Sequence, residues 1–494
     1  MRHRLLATLS FIVSVTFMVG CAPTMNLPHS DDEKKTEAFY ESLFEGKEPN
    51  TAMMTLFFTQ MPKGGDLHHH YTGSLYAETY LSWVKEKEWK IDSCTLRIAK
   101  KQTSEQCPLL SVDALMSNDT LYRKLLTLWS DKDYANHSHE QLPPDANFFN
   151  TFGYFSPISD YNPKAGLELI KERAVHENVS YIESMLSRVG VKSGEFFSAD
   201  EMKELNTRLR KATTEEQAYA LFKTIQEKLH ANPHFEEKLS HFVNELTALH
   251  SGLDDEHFTI RFQAYASRTA EPLQVYMDLL ASYPVAQRTP LIVGVNIVAP
   301  ENNTIALQDY TLHMQMFGYL KSLYPSVHRS LHAGELTLGM VEPKELLFHM
   351  QQAREIAGAE RIGHGVDIVY EKEVFSLLED LKKHAAIEIN LTSNAFILGV
   401  EKNAHPYTLY ASYGVPMVIS TDDSGVSRNN LSNEYLLLAT RYHPSYATLK
   451  QYVYNSITYS FLPPDEKAKL KVKLDQKFEI FEQKMSLFKA NLKK

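Results

Sequence analysis

The sequence predicts an α/β chain folded as a (β/α)8 TIM barrel, on three observations. Eight short apolar or β-branched runs alternate with longer helical patterns. Several of those runs are apolar almost throughout, as a parallel strand buried on both faces requires. Histidines and carboxylates gather where the runs end, and in such a barrel the strand C-termini surround the site. The 494 residues are 43% hydrophobic and 23% charged, a globular composition that one barrel with insertions can absorb. The formal net charge is −10 with no basic cluster, which excludes a nucleic-acid partner.

Taken in order, residues 1–20 read as a signal peptide. Arg2 and Arg4 precede an apolar run from Leu5 that ends in Val19-Gly20-Cys21. The run is short for a spanning helix. A cysteine directly after Gly20 resembles the lipobox of bacterial lipoproteins. That implies a lipidated Cys21 and an anchor in the cell envelope, on the periplasmic or cell-surface side; a plain cleaved signal or a spanning anchor is the alternative. Residues 21–35 are polar and read as the lipidated tether, and 36–494 as a single domain. Residues 36–60 precede the barrel and offer a contact for a homodimer.

The strands are placed at Gly65–His70, Val179–Met185, Phe258–Tyr265, Leu291–Ile297, Arg329–His332, Arg361–Gly363, Ala386–Leu391 and Val415–Ser420. Helical patterns lie between them, among them Lys164–Glu177, Ala306–Leu323 and Glu342–Ile356. The gap between the first two strands is long, so an insertion over about 75–175 must carry helices of its own, as a lid or small subdomain. The charged amphipathic segment from Leu462 onward predicts a last helix outside the barrel. Beyond Cys21 only Cys94 and Cys107 remain; outside the cytoplasm an even number of thiols tends to pair, which predicts a disulfide.

The first strand carries "DLHHHYTG". His68 and His70 stand two apart and share a face, whereas the structural His69 takes the other. Strand five ends in "SLHAGE", with His332 and Glu335; strand six in "RIGHG", with His364; strand eight in "ISTDDSG", with Asp422 and Asp423. Alone, each has an ordinary explanation as a core histidine, a helix cap or a solvated carboxylate. Together, imidazoles and carboxylates at converging strand ends suit a catalytic zinc with an open position.

These motifs, with "MPKGGDLHHHYTG" and "SNAFILGV…HPYTLYASYGVPMVISTDDSG…EY", resemble the adenosine deaminase family over about Met61 to Tyr435. The "MPKGG" opening is most similar to its secreted growth-factor-like branch. The resemblance implies one Zn2+ per chain and hydrolysis of the 6-amino group of a purine nucleoside, adenosine and 2′-deoxyadenosine, to inosine-type products and ammonia. It implies His68, His70, His332 and Asp422 as zinc ligands, Glu335 as the acid that protonates purine N1, His364 beside the attacking water, and Asp423 against N7. The chemistry agrees. An aromatic C6 accepts a nucleophile only if N1 takes a proton, so a carboxylic acid must face N1 and stay protonated, as burial near other negative groups allows. His364 can orient or deprotonate the water and stabilise the developing charge. The Cys-based zinc motif of cytidine-type deaminases is absent.

Two positions depart from the family pattern. Tyr71-Thr72-Gly73 replaces the aspartate that faces the ribose 5′ hydroxyl, leaving Thr72 to hydrogen-bond there. Ala299 in "GVNIVAPE" stands where a glycine lets backbone approach the base, while Glu301 still matches. Both bear on substrate more than on reaction, so adenine or a modified purine nucleoside is the rival substrate. Binuclear amidohydrolases with a strand-four lysine do not fit "LIVGVNIVAP", and a nucleoside-binding lipoprotein without turnover has no need of Glu335. Phe148, Phe149 and Phe152 read as helix packing, with a wall of the ribose pocket as the alternative. Ser393 and Asn394 read as fixing their loop, His405 as a helix-start residue, and His137 and His139 as solvated.

Overall fold

The computed structural model describes residues 30–102, 104–132 and 142–492. The leader, Cys21, His137 and His139 lie outside them. Eight parallel strands pair in chain order: β1 (Gly64–His70), β2 (Val179–Met185), β3 (Thr259–Ser267), β4 (Ile292–Val298), β5 (His328–Ala333), β6 (Arg361–His364), β7 (Ala386–Ile389) and β8 (Met417–Ile419). They are the eight runs expected from the sequence, with ends moved by no more than two residues. β2 is buried at every position, Ser180, Glu183 and Ser184 included, so its polar side chains must find partners inside the fold.

The seam between β8 and β1 closes the barrel. Asp422 N donates to His68 O at 2.9 Å, and His70 N donates to Asp422 O at 3.3 Å. Inside, Arg361 of β6 lies between Glu183 of β2 and Glu388 of β7, with an N–O distance of 2.6 Å to each. All three are fully buried. A buried charge is tolerated only when paired in this way.

Four helices bear on the site or on the ends of the chain: α1 (Asp31–Ser42), α2 (Thr51–Gln60), α3 (Pro144–Phe155) and α4 (Pro464–Leu492). α1 starts inside the segment read as tether, because Ser30 caps it by accepting from Glu33 N at 3.0 Å. Apolar residues of α1 and α2 pack within their own chain. Phe39 meets Phe488, and Phe57 meets Phe481 and Tyr446. α4 is the expected last helix. Among the described residues no helix is long and apolar enough to cross a membrane.

The insertion between β1 and β2 holds helices, as expected, and also a small antiparallel sheet (Lys90–Asp92, Ile98–Ala99, Leu109–Leu110). Strands of two or three residues carry no readable alternation. A disulfide joins Cys94 and Cys107 beside this sheet. The gap between β2 and β3 holds three further helices, Ala199–Lys211, Glu215–His230 and Pro233–His250. The helix expected over Glu342–Ile356 breaks at Phe348 into a 3-10 turn (Pro343–Leu347) and a short helix (His349–Glu355). There His349 stacks on Tyr310 at 3.7 Å and bonds Glu301 through Nδ1 at 2.6 Å.

Candidate active site

At the C-terminal ends of the strands the ring nitrogens and carboxylates converge. His68, His332, His364 and Asp422 place ligand atoms within 4.8 Å of one another; His70, Asp422 and Asp423 form a second such group, and Asp422 belongs to both. His70 Nε2 faces His332 Nε2 at 3.1 Å and lies 3.2 Å from Asp422 Oδ1, which is 3.4 Å from His68 Nε2.

The donors fit a cation. Glu388 Oε2 accepts the proton of His68 Nδ1 at 2.6 Å, which leaves the buried Nε2 an inward lone pair without a hydrogen-bond partner. Asn296 Oδ1 meets His332 Nδ1 at 3.0 Å and orients that ring in the same way. Buried lone pairs aimed at one another, with a carboxylate among them, form a cradle that a metal ion satisfies. Electrostatics agree. Burial disfavours a charge on His68, yet Asp422 and Glu388 hold it up to about 10. Burial, with His68 and His70 nearby, keeps His332 well below its ordinary range. One positive charge is wanted at this point, which a bound cation supplies.

Around the cradle stand two acids and a neutral histidine. Glu335 Oε1 lies 3.6 Å from His364 Nε2. Burial, then the charges of Asp422 and Glu301, push the Glu335 carboxyl well above the usual range. The Asp423 carboxyl is raised by burial and by Asp422. His364 is lowered to about 3 by burial, so its imidazole is neutral. Three non-glycine residues here have left-handed backbones: Ala299 (φ 83°), His364 (φ 71°) and Asp422 (φ 60°). Each conformation costs about 1–2 kcal/mol, and such strain gathers at working sites.

The family model described as adenosine deaminase matches residues 227–477, half of the chain, from before β3 to past β8. The chain belongs to the adenosine deaminase family. It is 35% identical to adenosine deaminase of Enterococcus faecalis over 155 residues, and 33% identical to that of Escherichia coli over 151. Those matches take in about 30% of this chain and span 42% of each enzyme's length. Among solved structures it resembles the N6-mAMP deaminase of Arabidopsis (TM-score 0.55, 17% identity, 85% of this chain and 99% of that one). It also resembles an amidohydrolase of Burkholderia ambifaria with bound Zn (TM-score 0.51, 15% identity, 88% and 94%). At such identities the likeness is one of fold.

Within this family member, a small cavity of about 30 Å³ is lined by His70, His332, Glu335, His364, Asp422 and Asp423, and by Phe148, Phe149, Ala299 and Ile397. Phe148 and Phe149, on α3, thus wall the site as well as packing; Phe152 only packs, against Phe148 and Phe155. Thr72 does not line the cavity; its carbonyl accepts from Tyr80 OH at 2.7 Å. His69 turns away to Ser184 Oγ at 2.9 Å. Ser393 and Asn394 do more than fix a loop. Ser393 Oγ donates to Asp422 Oδ2 at 2.6 Å, and Asn394 Nδ2 lies 2.9 Å from His364 Nδ1. Sequence reasoning missed Glu388 and Asn296. Their signal was a lone polar residue inside an apolar run, "AAIEIN" and "VGVNIV", since a buried polar group in a strand needs a partner.

Proposed function

We propose that this chain is a zinc-dependent hydrolase that removes the 6-amino group of adenosine, and of 2′-deoxyadenosine, giving the inosine product and ammonia. The observation that carries the reading is Glu335. A carboxyl group raised by burial in the same cavity as a convergent set of nitrogen and oxygen donors is what purine N1 requires. His68, His70, His332 and Asp422 would hold the metal. When bound, zinc lowers the pKa of a coordinated water to about 7 and so supplies a nucleophile near neutral pH.

The residues of the chain do the rest. Glu335, its carboxyl raised by burial, gives its proton to N1, so that C6 can accept the incoming oxygen. His364, neutral and 3.6 Å from Glu335, orients the attacking water. Asp423 faces N7 from the β8 side. Phe148 and Phe149 exclude solvent, which strengthens every polar contact inside. Adenine or a modified purine nucleoside is the second reading, favoured by the methyl of Ala299 on the cavity wall and by Thr72 lying away from it.

The "MPKGG" opening, which runs into β1, supports placement in the secreted growth-factor-like branch, and Cys21 after Gly20 supports a lipoprotein of the cell envelope. Cys21→Ala should release the protein from membranes; persistent membrane association would refute the anchor. For the reaction, adenosine mixed with purified protein should lose absorbance near its maximum. Glu335→Gln should keep its metal and lose about 10²–10⁴-fold in kcat. Tight nucleoside binding without spectral change would instead make the protein a binder.

A further inference from the structure

His364 has two nitrogens, and its chemistry depends on which one carries the proton. A chain of hydrogen bonds behind it decides this from an unambiguous starting point. The backbone N–H of Tyr407 donates to His405 Nδ1 at 3.1 Å. An amide N–H can only donate, so His405 Nδ1 is a lone pair. Burial lowers His405 to about 3, so its ring is neutral and its single proton sits on Nε2. His405 Nε2 lies 3.0 Å from Asn394 Oδ1, which must therefore accept. That fixes the orientation of the Asn394 amide and points its NH2 group at His364 Nδ1, 2.9 Å away. The amide nitrogen of Asn390 faces the same Nδ1 at 3.4 Å. Nδ1 of His364 is thus an acceptor, and the ring's proton lies on Nε2, the nitrogen directed into the catalytic cavity.

We infer that His405 is a positioning residue: through Asn394 it holds the proton of His364 on Nε2, which makes His364 a hydrogen-bond donor to the attacking oxygen. Two consequences distinguish His364 from its neighbours. His68 and His332 have their Nδ1 atoms turned to Glu388 and Asn296 and so present Nε2 lone pairs inward. His364 presents an N–H instead. It therefore stays outside the ligand set although its ring lies among the ligands. It steadies the oxygen as charge builds on it, rather than beginning as a base. His405 is buried, 1% exposed, and lies 41 residues (405 − 364) from the ring it governs. The same hydrogen bond from Tyr407 N serves as its helix-start contact, so one side chain performs both tasks.

This inference rests on the deaminase reading for its role in turnover, but not for the position of the proton. Nitrogen NMR of the zinc-loaded, full chain labelled with 15N-histidine reads the tautomer directly, the His364 signals being assigned by their loss in His364→Asn. The wild type should show a protonated Nε2 and an unprotonated Nδ1 for His364. In His405→Gln, an amide oxygen can accept from Tyr407 N and an amide nitrogen can donate to Asn394, so the tautomer should hold and kcat should stay within about threefold. In His405→Glu, a carboxylate only accepts; the Asn394 amide should turn over, the His364 proton should move to Nδ1, and kcat should fall at least tenfold with KM and zinc content nearly unchanged. A wild-type His364 protonated on Nδ1 would overturn the inference, as would His405→Gln and His405→Glu losing turnover equally with the tautomer unmoved. If no purine is turned over, the deaminase reading fails while the NMR still decides the proton.

Discussion

Glu388 Oε2 holds His68 Nδ1 at 2.6 Å, while its other oxygen, Oε1, takes Arg361 Nε at 2.6 Å and Ser330 Oγ at 2.8 Å. One carboxylate from the middle of β7 thus aims a ligand histidine and neutralises the arginine at the barrel's centre. Glu388→Gln should keep the fold and weaken metal binding about 10–100-fold, measured by chelator competition. Unchanged metal affinity would show that His68 is held by packing alone. Glu388→Ala should also destabilise the chain by about 3–5 kcal/mol in urea unfolding, since it leaves Arg361 short of a partner.

Gly73 is required by Asp423. A Cβ at position 73 would lie 1.5 Å from Asp423 Oδ1 and 2.6 Å from its Cβ, and a buried side chain on a closed seam has nowhere to retreat. Gly73→Ala should therefore cut turnover at least tenfold while far-UV circular dichroism stays native. Full activity would mean that Asp423 does not need its present place.

Acid should weaken the fold through two buried glutamates. Burial works against the charged form of Glu301, but Arg268 and His349 hold its carboxyl at about 2. Glu388, held against its own burial by Arg361 and His68, also lies at about 2. The ordinary glutamate value is 4.5, so the unfolded chain takes up protons that the folded one refuses. Stability is then present above about 4.5 and is lost as pH falls toward 2, on the order of 2–3 kcal/mol for each group. Urea midpoints between pH 6 and 3 should decline, and less steeply in Glu301→Gln.

The bond between Cys94 and Cys107, 13 residues apart, closes a small loop in the insertion. Cys94→Ser with Cys107→Ser should lower the stability of that segment by about 3 kcal/mol, seen as faster amide exchange over residues 90–110. Exchange confined to its wild-type rate would show that the small sheet holds without the crosslink.

The barrel was legible because several strands, such as "LIVGVNIV" at β4, are apolar almost throughout, as burial on both faces favours, and alternate with helical patterns. His68, His332, His364 and Asp422 were legible because they stand in the C-terminal part of a strand or just beyond it. What was not legible lies in hydrogen bonds between distant segments. Glu388 looks like one acid in "AAIEIN", and nothing local says that its partners are His68 and Arg361. The same holds for His405, whose link to Asn394 exists only once the segment before Tyr407 packs against the helix Leu391–Leu398. The small sheet escaped because its strands are too short for periodicity, and the break at Phe348 because His349 is drawn to Glu301 by tertiary contact. The placement of Phe148 and Phe149 depends on where α3 comes to rest, which composition does not encode.

α1 and α4 lie side by side, and Thr36 Oγ1 donates to the carbonyl of Glu482, 446 residues later. Phe39 and Phe57 have no complete resting place until that late helix exists. During synthesis, then, the earliest described segment emerges sticky and must wait for almost the whole polypeptide. Chaperones that guard nascent chains should find their binding site there, and release it only after the ribosome has finished.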